Sequence, residues 1–237
     1  MSFEIGKVLN TEEPFSINYL SRPAYGHRIV RTFTIENRLS LAYVLGVLKG
    51  DGCVSNRRRD HYFIALQVKD EDFAKAFSEC LSQVLNEEVK VKPIKRDTTK
   101  GFFEGYDICK GHKGFYLWCK KHLAEAVSIV DGLGRPAVAM FIRGFADSEG
   151  SPQKCTASIR LYNKDISLLQ SIQWLLSKHF QVSSKILSYS HTCPFLVIYG
   201  LQNFKHFSEH IGFSIERKQE RLTLLIAQVR RHSYDGN

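Results

Sequence analysis

The chain has 237 residues, 43% of them hydrophobic and 12% aromatic, enough to bury a sizeable core in one large or two small domains. A formal net charge of +9 and a pI near 9.2 point to an acidic partner, and the lack of any long apolar span favours nucleic acid over a membrane. Six scattered cysteines without a C-x-x-C pair, and nine histidines without zinc-ligand spacing, argue against both a zinc module and a disulfide framework.

Met1 to Ile5 carries an early acid and no apolar signal core, so an intracellular address is expected, cytoplasmic or organellar and not secreted. Residues 1–38 resemble nothing later in the chain. Pro14, Pro23 and Gly26 divide them into short pieces, and Arg22, His27, Arg28, Arg31 and Arg38 make their later part basic. The stretch from Leu41 to Lys49 then sets apolar residues at helical spacing around Gly46 and closes on Gly50-Asp51-Gly52. Cys53 to Lys69 reads as a β-hairpin whose polar tip holds Ser55, Asn56, Arg57, Arg58 and Arg59, a tip suited to phosphate contact. Residues 72–85 place Phe73, Ala76, Phe77, Cys80, Leu81 and Val84 on one helical face. Residues 89–108 return to alternation, with Lys90, Lys92, Arg96 and Lys100 interleaved among apolar and turn residues. Residues 115–130 are expected to close the unit as a helix.

Gly132 to Pro136 is the join, where Pro136 suits the first turn of a helix because its missing N–H would be unpaired there anyway. The plan then repeats. Val138 to Glu149 is centred on Gly144 and closes on Asp147-Ser148-Glu149-Gly150. Residues 151–162 form strands bearing Gln153, Lys154, Thr156, Ser158 and Arg160, and residues 166–180 are amphipathic through Leu168, Leu169, Ile172, Leu175 and Leu176. Residues 182–199 hold a further strand pair with Lys185, Tyr189 and His191, followed by helices near 202–211 and 214–231. The expected fold is α+β: an extension, 1–38, and two αββαββα repeats, 39–133 and 134–237.

In each copy two small residues one turn apart, Gly46 and Gly50 or Gly144 and Ser148, describe a helix that another backbone approaches closely. The natural neighbour is the other copy. A carboxylate in the last turn of a helix costs a few tenths of a kcal/mol, up to about 1, because it faces the negative end of the dipole. Two such helices side by side would also bring Asp51 and Glu149 together, and paired carboxylates repel unless a cation or a proton lies between them. Hard oxygen ligands that leave room for a phosphate point to Mg2+. Either acid-Gly pair alone is an ordinary helix exit; the matching positions of the two are what argue for a site.

These paired stretches resemble the motifs of the LAGLIDADG homing endonucleases in their single-chain, two-copy form. Val44 to Gly52 keeps Gly46, Asp51 and Gly52, while Ile142 to Gly150 keeps Gly144, Asp147 and Gly150, with Glu149 in the place of the last acid. The first copy has Lys49 where the signature carries its earlier acid, which is not a metal ligand in the family. The resemblance covers roughly residues 39–232.

It implies that the repeats form a pseudo-twofold pair whose twisted antiparallel sheets make a β-saddle straddling DNA, where sheet ribbons read base edges in the major groove. It also implies a site-specific, metal-dependent double-strand endonuclease, intron-encoded, cutting across the minor groove to leave 3' overhangs. Two or more Mg2+ ions would be held by Asp51 and Glu149 with the backbone carbonyls of Gly50 and Ser148, and Mn2+ or Ca2+ would substitute in binding. Lys69, Asn163 and Lys164, at strand ends ahead of a helix, match positions that order the attacking water, and Lys218 matches a basic position beside the scissile phosphate. For Lys69 and Lys164 a plainer reading, Lys-Asp pairs that simply open the next helix, stands equally. Unlike halves imply a long asymmetric target and a monomer, with residues 1–38 either reaching flanking DNA or serving as a structural wrap. The alternative functions are an RNA maturase acting on intron RNA, or a non-cleaving DNA-binding regulator on the same scaffold; retention of both acids argues against the regulator.

Overall fold

The computed structural model describes residues 15–21, 28–56, 61–99, 101–189 and 192–234. Strands β1 (Ser16–Ser21) and β2 (Ile29–Thr34) pair antiparallel ahead of helix α1 (Arg38–Lys49). The first repeat continues as β3 (Cys53–Asn56), β4 (Tyr62–Val68), α2 (Glu71–Leu85), β5 (Val91–Thr98), β6 (Gly101–Gly111) and α3 (Lys113–His122). A 3-10 turn at Leu123–Glu125 and a short α4 (Ala126–Gly132) lead to α5 (Arg135–Glu149). The second repeat then runs β7 (Gly150–Gln153), β8 (Ser158–Tyr162), α6 (Ile166–Phe180), β9 (Ser184–Leu187), β10 (Phe195–Tyr199) and α7 (Leu201–His210), and α8 (Glu216–Tyr234) closes the described chain.

The axis of the molecule is the crossing of α1 and α5, the most extensive contact between any two elements. Asn37 starts α1 by accepting from the Ser40 N–H, and every residue from Ser40 to Leu48 is buried. Pro136 lies in the first turn of α5, as the join implies. A Cβ on Gly46 would stand 2.0 Å from the carbonyl oxygen of Phe141, and one on Gly144 would stand 2.3 Å from that of Tyr43. The relation is reciprocal. One constant sequence offset separates Tyr43 from Phe141, Gly46 from Gly144 and Val47 from Phe145, so the helices cross about a local twofold.

Each repeat carries a four-stranded antiparallel sheet of matching order, β3-β4-β6-β5 and β7-β8-β10-β9. Alternation sorts the faces: Ile64, Leu66, Val68 and Ile108 turn into the core, as do Ile159, Leu161, Leu196 and Ile198 in the second sheet. One hydrophobic core runs through both repeats. No helix of the described residues is long and apolar enough to cross a membrane, and no disulfide is formed.

Two stretches differ from the sequence reading. The helix expected over 115–130 is interrupted by the 3-10 turn, because its two ends have different partners: α3 packs on the β1–β2 hairpin, whereas α4 packs on α5 and α6. Both halves of that stretch are apolar at helical spacing, so periodicity alone shows no break. The β1–β2 hairpin itself, anchored by Phe15 and Phe33, was hidden inside what reads as a broken basic extension.

Candidate functional site

The two helices of the crossing end side by side. Neither exit uses the left-handed glycine stop: φ is -104 at Gly50 and -89 at Gly150. Gly50 is instead a close-approach residue, since a Cβ there would lie 2.5 Å from Ser148 Cβ and 3.2 Å from Glu149 Cγ. That approach brings the ends of both motifs, Asp51 and Glu149, to one place. Burial raises the Asp51 carboxyl above its ordinary range, with the Lys218 ammonium pulling the other way. Burial first, and then the charge of Asp51, push Glu149 up to about 7.

Lys218, on the first turn of α8, is only 6% exposed, and its Nζ donates to the carbonyls of Ala146 (3.2 Å) and Asp147 (2.5 Å). It therefore satisfies carbonyls at the C-terminal end of α5 and sets a cation against the negative end of that helix. Burial is the main reason its pKa falls to about 8. Asn163 reaches the same place, with Nδ2 3.4 Å from both Glu149 Oε1 and the Lys49 carbonyl. Lys69 and Lys164 remain exposed at their strand ends. Beside them, Asp165 caps α6 through the Leu168 N–H at 3.1 Å, while Asp70 pairs with Arg217 instead of capping α2.

Asp147 is a site residue whose role the sequence did not disclose. It is 1% exposed, and its carboxylate accepts from the Tyr43 hydroxyl at 2.7 Å and from the Ser214 N–H at 2.9 Å. It ties α1 and the approach to α8 onto α5. The sequence marks it as the earlier acid of the second motif, with Lys49 at the equivalent position of the first, but carries no sign of its hydroxyl and N–H partners.

Of the residues predicted to meet nucleic acid, Ser55, Lys92, Arg96, Gln153, Arg160 and Lys185 lie on the outward faces of the sheets. On the first, Lys92 stands opposite Asp107, and Arg96 donates to Gln67 Oε1 (2.7 Å) while Gln67 Nε2 donates to Asp107 (2.6 Å). Gln67 and Asp107 were missed, although the alternation that selects Lys92 and Arg96 also selects them. Ser55 is half-buried, Asn56 is exposed, and Lys90 pairs with Glu88 at 3.7 Å. On the second sheet, Arg160 lies over the Phe195 ring (5.0 Å) and donates to Thr156 (3.2 Å), Gln153 donates to Ser151 (2.8 Å), and Lys154, Lys185 and Tyr189 are exposed. Ser158 is a correction: it is fully buried, with its hydroxyl 2.8 Å from that of Thr156, so it presents nothing to a partner. Arg57, Arg58, Arg59, Lys100 and His191 lie outside the described residues.

Two carboxylates at the foot of the crossing form a hard-oxygen pair without thiol or imidazole. Among the described residues no group of three or more His, Cys, Asp or Glu is arranged to hold a metal. This donor set suits a Mg2+-like ion that keeps waters and takes phosphate oxygens, and it does not suit zinc.

Residues 136–212 match the LAGLIDADG-like domain. The chain is 37% identical over 116 residues to the uncharacterized protein MJ0314 of Methanocaldococcus jannaschii, covering 47% of this chain and 41% of that protein. It is 25% identical over 209 residues to MJ0398 of the same organism, covering 81% and 73%. Less than half of MJ0314 is therefore spanned. Mesophilic variants of the homing endonuclease I-DmoI superpose with a TM-score of 0.58 at 22% identity, over 79% of this chain and 99% of theirs. The homing endonuclease I-WcaI, bound to its DNA recognition sequence, superposes with a TM-score of 0.60 at 13% identity, over 79% and 88%.

Two αββαββα repeats joined through glycine-crossed helices define the fold as that of the LAGLIDADG proteins. Residues 136–212 carry the LAGLIDADG-like domain, and the chain as a whole shares its fold with the homing endonucleases I-DmoI and I-WcaI.

Proposed function

We propose that the protein is a site-specific endonuclease of double-stranded DNA that works with divalent metal ions at Asp51 and Glu149. The observation that carries this reading is the close packing of the motif ends, which sets the exposed Asp51 beside the half-buried Glu149 although the charge of Asp51 raises the cost of ionising Glu149. A purely structural helix exit has no use for that pair. Structures of I-DmoI with DNA and Mn, with DNA and Ca, and with target DNA in the presence of Mg support the choice of metal and partner.

A bound Mg2+ would supply Lewis-acid stabilisation of phosphate oxygens and a more acidic water. Asp51 and Glu149 would hold it as ionised carboxylates, with the carbonyls of Gly50 and Ser148 beside them. Asn163 orients Glu149 through its amide. Lys218 keeps a cation at the foot of α5, where it offsets the negative charge that builds on a phosphate during displacement. Lys92, Arg96, Arg160 and Lys185 on the outward faces, with Lys154 in the turn between β7 and β8, would neutralise backbone phosphates and set the register on the duplex. Because the halves differ in sequence, the target is asymmetric and one chain suffices to cut both strands, across the minor groove with 3' overhangs. Intron-encoded homing is the biological setting this reading implies.

The test offers the purified protein an uninterrupted copy of the locus around its own reading frame, with Mg2+ or with a chelator. Cutting is expected only with metal. Asp51→Asn or Glu149→Gln should abolish cutting and keep binding. Binding that promotes intron splicing, with no nicking while both acids are intact, would replace this reading with a maturase.

A further inference from the structure

We propose that Asp107 is a specificity-determining residue: held in place by Gln67, its carboxylate reads the exocyclic amino group of a cytosine in one half of the DNA target and not in the other. The inference rests on the reading of the protein as a site-specific binder of duplex DNA.

Gln67 and Asp107 stand opposite each other on β4 and β6, and both turn outward because their neighbours Leu66 and Ile108 turn into the core. Gln67 Nε2 donates to Asp107 Oδ1 at 2.6 Å, and Gln67 Oε1 accepts from Arg96 Nη2 at 2.7 Å. The two bonds fix the amide: turned over, it would set its NH2 against the guanidinium and its oxygen against the carboxylate. Arg96 reaches across from β5, where it pairs in register with Phe103 and holds its guanidinium 5.7 Å from the centroid of that ring. Gly105 lies between Phe103 and Asp107 on the same face, and a Cβ there would come 2.9 Å from Phe103 Cζ. Without that side chain the diagonal is open, so cation, amide and carboxylate form one chain over the sheet.

The carboxylate names the base. In the major groove guanine offers two acceptors, thymine an acceptor and a methyl group, and adenine an acceptor beside its amino group, whereas cytosine offers a donor alone. A carboxylate accepts and cannot donate, so it matches cytosine and is repelled by the acceptors of the other three. On a face whose cations suit phosphates it weakens binding to DNA of arbitrary sequence, and it gains only where a base donor meets it. Register carried back from Cys53 opposite Ala65 sets Gln67 level with Asp51, so the pair lies at the Asp51 end of the sheet. In the second sheet the pair next to the core residues Leu161 and Leu196, as Gln67 and Asp107 are next to Leu66 and Ile108, is Tyr162 opposite Phe195. That pair is aromatic, with ring centroids 5.2 Å apart and Arg160 over Phe195. The demand for cytosine therefore falls on one side of the cut.

The experiment selects bound duplexes from a pool with a randomised core, with Ca2+ in place of Mg2+, using the natural chain, Asp107→Ala and Gln67→Ala. The natural chain should select cytosine at one fixed position and make no such demand at the mirror position of the other half. Asp107→Ala should lower that preference roughly tenfold, leave the other positions as they were, and bind duplex of arbitrary sequence as tightly as the natural chain or more so. Gln67→Ala should lower the same preference by less, because the carboxylate stays but is no longer aimed. An Asp107→Ala protein that selects the same sequence with the same preference overturns the proposal and leaves the DNA reading standing. A loss spread evenly over all positions, with a lower urea midpoint, assigns Asp107 a structural role and overturns it as well. If the natural chain selects no sequence, the site-specific reading falls together with it.

Discussion

Tyr43 and Asp147 sit on different repeats, and the Tyr43 hydroxyl donates to the Asp147 carboxylate across 2.7 Å inside the helix crossing. The local twofold would pair Phe141 with Lys49 in the same way, and neither of those can make the bond. Where the first motif lacks its acid, the facing helix lacks its hydroxyl. The bond therefore exists once, and Lys49 is tolerated because nothing opposite requires a carboxylate. Removing one partner of a buried hydrogen bond leaves the other unsatisfied, at about 1–3 kcal/mol. Tyr43→Phe should destabilise by that amount in urea unfolding. In a double-mutant cycle with Asp147→Ala, which removes the acceptor, the two changes should be coupled by about 1 kcal/mol or more, and strict additivity would show that the bond contributes nothing.

The glycines of the crossing admit less compromise, because a Cβ on either would run into main-chain oxygen and not into a flexible side chain. Gly46→Ala or Gly144→Ala must push the helices apart along their whole contact. The expected loss is about 3 kcal/mol or more, with cutting lost together with the carboxylate pairing. An alanine variant that unfolds at the natural urea midpoint would mean that the helices do not meet as described.

Much of this was legible in the sequence, and the reason is redundancy. The acid-Gly endings, the small residues one turn earlier and the Pro136 join each carry a local signal, and two copies in step make the signal specific. Asp147 was opaque because a motif position says where a residue lies along a helix, and not which hydroxyl arrives from a segment distant in sequence. The β1–β2 hairpin was opaque for a different reason. Its strands are short and mostly unburied, and Phe33 packs on His112 and Phe115 at the start of α3 while Phe15 lies under the Arg38 guanidinium of α1, so alternation has little contrast there. Ser158 was misassigned because a serine at a strand start reads as polar surface, while its hydroxyl is satisfied by the adjacent turn.

The raised carboxyls make stability depend on pH in a direction opposite to that of an ordinary salt-bridged acid. With its folded pKa near 7, Glu149 binds a proton in the native chain that it has already lost in the unfolded chain above about pH 4.5. Its contribution is therefore complete below that value and lost as the pH rises through about 7, and Asp51 acts in the same sense. Asp70, held low by Arg217, titrates below this window. In chelator, the natural protein should lose roughly 1–2 kcal/mol between pH 5 and 7.5, allowing for the partial exposure of Glu149, and Glu149→Gln should flatten the curve. Added Mg2+ should stabilise more at pH 7.5 than at pH 5, because protons compete for the same oxygens. A Mg2+ effect equal at both values would separate the metal from these carboxylates.

The last helix is held to the opposite repeat by two contacts at its start. Arg217 donates to both oxygens of Asp70, Nε at 2.5 Å and Nη2 at 2.7 Å, and the Glu216 N–H donates to Asp72 Oδ2. The next residue along is Lys218, whose ammonium sits on the carbonyls of Ala146 and Asp147, so the Asp70–Arg217 pair positions a group at the foot of the crossing from the far repeat. With the Arg217 side chain half exposed, the pair itself is worth about 1 kcal/mol in a double-mutant cycle, less at high salt. Its effect on cutting should be larger than its effect on stability, because a small shift of α8 moves Lys218 away from those carbonyls. Arg217→Lys keeps the charge but cannot make the two-pronged contact, so it should restore most of the stability and little of the cutting rate. Single-turnover cutting measured alongside urea unfolding separates the two effects. If cutting falls only in proportion to the folded fraction, the pair is a surface ion pair and Lys218 is positioned by other contacts.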